Sequence, residues 1–157
     1  MVSLEKAILA LMNESALSAA VIAARDCALA MQENARYVEK ELGSVEMPRR
    51  LRHQAREACS AFLETAYDVC SELDELDELR ARAAPEDEIT RRLERILRWL
   101  RSPIEQMHAV VTALDAAATR DEAVGAGYIL VAESAVNILG AEGIAAEAIG
   151  AALSASH

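Results

Sequence analysis

A single spacing rule dominates this sequence. From Leu17 the apolar residues fall at alternating intervals of four and three, through Val21, Ala24, Ala28, Met31, Ala35 and Val38 to Leu42. Such a period keeps one stripe on one side of a helix and requires a second helix to cover it. A second stripe runs from Leu51 through Ala55, Ala58 and Phe62, then Val69, Leu73, Leu76, Leu79 and Ala83. A third runs from Ile89 through Leu93, Ile96, Leu100, Ile104, Met107, Val111 and Leu114 to Ala118, and a fourth takes Val124, Tyr128, Val131, Ala135 and Ile138. Four such segments predict an all-α fold, an elongated up-and-down four-helix bundle whose segments reach about 50 to 60 Å at 1.5 Å per residue. Leu17, Ala24, Met31, Phe62, Val69, Leu76, Leu93, Leu100, Met107, Val111, Val131 and Ala135 are predicted to lie in its core.

The punctuation supports that division. Ser3 is placed to cap the first helix and Gly43 to stop it; Pro48 suits the first turn of the second, which runs to Pro85. Glu86, Asp87 and Glu88 then favour the positive end of a third helix dipole. Two capping boxes follow, Ser102 to Glu105 and Thr119 to Glu122. The first, holding Pro103, predicts a third helix kinked or broken at Ser102–Pro103. The second predicts a turn at Ala118–Thr119. Gly140 and Gly143 are a candidate break in the last helix. Asn13 with Ser15 are another in the first, because Leu4, Ile8 and Leu11 lie on a different stripe, though the first helix is read as running through them. No repeat or low-complexity linker divides the chain, so residues 1–157 are read as one domain.

Composition agrees. A chain of 157 residues is long enough to bury about two thirds of its unfolded surface. Its apolar share of 53% includes only 3% aromatic residues, which favours helices packed through small side chains over a sandwich or barrel. The net charge of −10 argues against nucleic-acid and membrane-surface partners and toward a basic protein. The least charged run, Ala123 to Ala155, is interrupted by Glu133, Glu142 and Glu147 and is read as a core helix rather than a membrane span. Cys27, Cys59 and Cys70 form no C-x-x-C, and no secretory signal is read before them. They are expected to be small buried hydrophobes in a reduced, cytoplasmic compartment. Cys59 and Cys70 fall about 16 Å apart along one helix, too far for a disulfide.

Two arginine clusters stand out. Arg91, Arg92, Arg95, Arg98 and Arg101 line one helical face, and folding back about Ala84–Pro85 predicts the pairs Glu78–Arg91, Glu75–Arg95, Glu72–Arg98 and Asp68–Arg101. That stripe is expected to be neutralised within the hairpin by exposed pairs, each worth about 0 to 1 kcal/mol. Arg49, Arg50, Arg52 and Arg56 begin the second helix, where cations oppose the dipole. Glu39 and Glu41 are their nearest expected neutralisers, and the cluster is a candidate partner contact. Ala141, Ala145, Ala148 and Ala152 offer a smooth second candidate face for helix docking or self-association.

Little in the sequence points to chemistry. Glu105 and His108 make half of a di-iron E-x-x-H pattern, but His53 and His157 do not supply the other half, so no metal and no cofactor are predicted. Arg101 and His108, six residues between them, resemble the paired arginine and histidine of HEPN-class helical ribonucleases, a resemblance that implies phosphodiester cleavage as the alternative function. His53 with Arg56 resembles in part a histidine phosphotransfer site, from which Glu57 departs where that class carries glycine. There is no Gly-x-Ser-x-Gly and no glycine-rich phosphate loop. With inward stripes almost purely Ala, Leu, Ile, Val and Met, the predicted function is non-enzymatic. The chain reads as an interaction module, of the inhibitor, chaperone or adaptor type, binding a protein partner or a second copy through its acidic surface or its last helix.

Overall fold

The computed structural model describes residues 3–155; His157 lies outside the described residues. Four helices follow one another: α1 (Leu4–Glu41), α2 (Arg49–Ala81), α3 (Glu86–Arg120) and α4 (Gly125–Ala155). Single 3-10 turns at Leu42–Ser44 and Glu122–Val124 lead out of α1 and into α4. Each helix packs on its two sequence or ring neighbours, with α1 closing against α4 and only slight contact across the α1–α3 diagonal. This is the four-helix up-and-down bundle that the stripes demand. At 38, 33, 35 and 31 residues, the helices extend about 45 to 57 Å.

The ends of the helices have local causes. Ser3 Oγ accepts from the Lys6 N–H at 3.2 Å, satisfying one of the unpaired donors of the first turn. Pro48 and Pro85 sit one position earlier than expected, as the extended residues immediately before α2 and α3. At the end of α2 the Ala84 N–H reaches back to the Leu79 carbonyl and the Ala83 N–H to that of Arg80, the bond pair of a Schellman motif. The left-handed position of that motif, usually glycine, is held by Ala83 at φ 53°.

Three candidate breaks are absent. α1 runs through Asn13 and Ser15, α3 through Ser102 and Pro103, and α4 through Gly140 and Gly143. Pro103 is buried on the core face of α3, flanked by the buried Leu100 and Met107. Packing on both sides outweighs the lost backbone bond. A mid-helix glycine costs only about 1 kcal/mol relative to alanine, and Ile138, Ala145 and Ile149, all essentially without exposure, secure α4 on either side. The turn before α4 also falls later than Thr119. The Thr119 hydroxyl donates to the Asp115 carbonyl within α3, and it is Asp121 that caps, accepting from the Ala123 N–H at 3.0 Å.

The core holds Phe62, Met31, Leu42, Leu73, Leu76, Leu100 and Met107 at its centre. Along α1 the buried residues Ala20, Ala23, Ala24, Ala28 and Ala35 leave room for α4 to lie close. Leu17, Val111 and Ala135 depart from expectation, being only partly buried. Leu17 lies near a free end. Glu14 and Ser18 receive Arg80, from the last turn of α2, and the Asn137 amide donates to Asn34 Oδ1, which in antiparallel register brings the end of α4 level with Ala16. Leu4 to Asn13 therefore project about 15 Å beyond their neighbours, and Leu4, Ile8, Leu9, Leu11 and Met12 are exposed.

Candidate functional site

The two residue sets singled out from sequence occupy different parts of the molecule. Arg49, Arg50 and Arg56 are exposed at the start of α2 and Arg52 is half-buried. Arg52 donates to the Val45 carbonyl at 2.9 Å and borders a cleft with Glu46, Pro48 and Asp121. Glu39 and Glu41 do not neutralise the cluster: among the described residues none of these four arginines forms an ion pair with either. The loop Val45–Pro48 directs Arg52 toward its own carbonyl instead. His53 lies 3.0 Å from Glu57 one turn on.

Ala141, Ala145, Ala148 and Ala152 are turned inward. Asn137 touches α1, and positions four and eleven residues further, Ala141 and Ala148, repeat that direction along the helix. Ala145 is fully buried and Ala152 nearly so. The alanine stripe is thus occupied by α1, and a docking surface on α4 has to lie on the opposite side.

That opposite side is apolar. Ile129, Val136, Leu139 and Ile144 are each more than half exposed. They surround Gly140 and Gly143, where an added Cβ would meet nothing within 4 Å. Contrast Gly127, whose Cβ would fall 3.2 Å from the Glu46 carbonyl oxygen: there the loop before α2 requires a glycine, whereas nothing in the bundle requires one at 140 or 143. α4 carries Glu133, Glu142 and Glu147 and no lysine or arginine. By length and composition α1 and α4, with their adjoining 3-10 turns, are each apolar enough to cross a membrane, and only 22% and 28% of their most apolar windows is buried in the bundle.

The charge network of α2 and α3 differs from the expected ladder. Arg92 reaches Glu72 at 3.0 Å, Glu75 and Glu88, and Arg95 reaches Glu72 at 3.4 Å. The midpoint of the turn at 82–85 sets this register. Glu72 and Arg95 are equally far from it along the chain, as are Glu75 and Arg92. The expected pairs Glu78–Arg91, Glu75–Arg95, Glu72–Arg98 and Asp68–Arg101 assumed a fold-back point further along and are replaced. Arg91 turns to the Asp87 carbonyl, and among the described residues Arg98 has no acidic partner. Sequence reasoning placed Glu72 on the surface, yet its side chain is 8% exposed between its two arginines.

Arg101 is engaged with Glu142 of α4 at 3.2 Å. His108 lies two turns further along α3, at the edge of an apolar groove with Phe62, Met107 and Tyr128. The structure does not bring the Arg101 guanidinium and the His108 imidazole into one cleft of the single chain. No group of three or more His, Cys, Asp or Glu with metal-binding geometry occurs among the described residues. Burial pushes the Cys27 and Cys59 thiols up to about 12, with Glu142 adding to the effect at Cys27 and Glu39 at Cys59. All three cysteines are free. No protein-family model, curated protein sequence or solved structure matches the chain.

Proposed function

We propose that the protein is a non-enzymatic interaction module that binds another protein through the outer face of α4. The observation that carries this reading is the exposed set Ile129, Val136, Leu139 and Ile144 around two glycines that the bundle itself does not use. Solvated glycines in mid-helix reduce stability, and their physical advantage is to let another backbone approach closely. Large exposed apolar surface has a comparable cost in solubility and marks contact surfaces. The ionisable groups point the same way. Glu72 with Arg92 and Arg95, Arg25 with Asp74 and Asp77, and Arg101 with Glu142 neutralise one another, which leaves few convergent groups for catalysis.

A photo-reactive amino acid placed at Val136 or Ile144, and at Tyr67 on α2 as a control of similar exposure, tests the assignment in the source cell. Cross-links to one protein at 136 and 144, absent at 67, are the expected result. Equal labelling at all three positions would remove α4 as the docking face. An RNA-cleaving activity lost in His108→Ala would replace the reading with the ribonuclease alternative.

A further inference from the structure

Val111 and Ala135 hold heptad positions that ordinarily face a bundle core, and both are only partly buried. The cause is a groove of about 210 Å³ between α3 and α4. Phe62 of α2, 1% exposed, reaches across to floor it. Ile104 and Val111 line it from α3, and Ala132 and Leu139 from α4. Sites that enclose drug-sized ligands hold about 300 to 1,000 Å³; the present volume suits one leucine- or phenylalanine-sized side chain. Val136 and Leu139 belong both to this groove and to the exposed outer face of α4, so whatever lies on that face passes over the opening.

His108 is the one side chain lining the groove that titrates near neutral pH, and the flanking surface is acidic. Glu105 stands one residue after the lining Ile104, and Glu133 stands beside Val136 on the outer face of α4; both are exposed, and neither forms an ion pair among the described residues. A second copy is a poor occupant on the same grounds. Two α4 helices crossing antiparallel at Gly140 would set Glu133 of each against Glu147 of the other, and a parallel pair would set each glutamate against itself. An anionic lipid surface is disfavoured likewise.

We propose that this groove is the anchor pocket for one apolar side chain carried on a basic amphipathic helix of a partner protein. The proposal rests on the protein-docking reading above and adds the chemistry of the partner. The helix lies across α4 over Gly140 and Gly143, its cations meet Glu105 and Glu133, and its anchor residue covers Phe62.

The test uses the whole protein and three helical peptides of about 20 residues: lysine-rich with a central phenylalanine, the same with alanine at the centre, and the phenylalanine peptide with glutamate replacing lysine. Affinity is read by fluorescence anisotropy and location by methyl chemical shifts. The expected result is that the first peptide binds at least about tenfold more tightly than the second, that the third does not bind, and that shifts centre on Ile104, Val111 and Leu139. Glu133→Lys, a surface change, should weaken the first peptide while leaving the melting temperature in place. Indifference to the phenylalanine, or preference for the acidic peptide, would overturn the proposal. Shifts confined to Ile22 and Leu29 of α1 would overturn the groove while leaving a protein-docking function standing. Groove shifts on neutral phosphatidylcholine vesicles, with all peptides inert, would also overturn it. The cross-linking pattern at Val136 and Ile144 reports separately on the docking reading.

Discussion

Arg92 donates to the carboxylate of Glu72 at 3.0 Å across the α2–α3 interface, and that carboxylate is 8% exposed while the arginine is 23% exposed. Glu72 also accepts from Arg95 at 3.4 Å. A desolvated carboxylate held by two arginines is costly to orphan from either side. Glu72→Ala is expected to lower stability by about 2 kcal/mol, against at most about 1 kcal/mol for Glu75→Ala, whose carboxylate is largely exposed. A double-mutant cycle between positions 72 and 92, read by urea denaturation, should show coupling; strict additivity would mean that the two groups do not interact.

Ala83 occupies a left-handed conformation that costs an L-residue about 1 to 2 kcal/mol and glycine almost nothing. Ala83→Gly is therefore expected to stabilise the protein by about 1 kcal/mol, although most alanine-to-glycine changes in helical proteins do the reverse. A drop in the unfolding midpoint would contradict the Schellman geometry at the end of α2.

At Gly140 and Gly143 the sign is opposite. Alanine there adds a methyl group into open space and should raise stability by about 1 kcal/mol at each site. The same substitutions should weaken partner binding by blocking backbone approach. Thermal melts and binding measured on the same variants separate the two effects, and a variant that gains stability with undiminished binding would deny the glycines a role in docking.

The buried thiols give the protein a pH dependence on the alkaline side. Burial pushes the Cys27 and Cys59 thiols up to about 12 in the folded protein, against about 8.5 for a cysteine in the unfolded chain. Above the lower value the unfolded chain releases protons that the folded chain retains, so stability falls with rising pH. Their contribution is complete below about pH 8.5 and is lost progressively toward about 12. Urea midpoints at pH 7 and pH 10 should show the decline, and replacing both cysteines with alanine should flatten it. At pH 8 a thiol reagent should modify Cys70, which is only partly buried, well before the other two.

The helices were legible because their period is strict: Met31, Phe62, Leu76 and Leu100 are buried where the stripes put them. The breaks were not, because a local signal such as Ser102–Pro103 or Gly140–Gly143 competes with packing that only the assembled bundle supplies. The burial of Glu72 is hidden from the sequence for a similar reason. It depends on a register set by where the α2–α3 turn is centred, which a shift of one or two residues alters. The alanines at 141, 145, 148 and 152 read in sequence as a face for a partner, yet they turn inward, because a run of small residues does not state which neighbour it packs on; here it is α1. The groove was visible only as an exception, in Val111 and Ala135, which hold core positions and remain partly open.

The projecting start of α1 has its own dynamic character. A free helix as short as Leu4 to Asn13 is below the roughly 12 to 15 residues at which isolated helices become marginal in water. It is sustained because it grows outward from a packed segment, where the nucleation step has already occurred. Such an end behaves as a zipper: its turns open and close from the tip without disturbing the bundle, so its backbone amides should be among the first to exchange with solvent. Any contact that covers Leu4, Ile8 and Leu11 would close the zipper to its tip, and the exchange rate of those amides would then report whether the end is occupied.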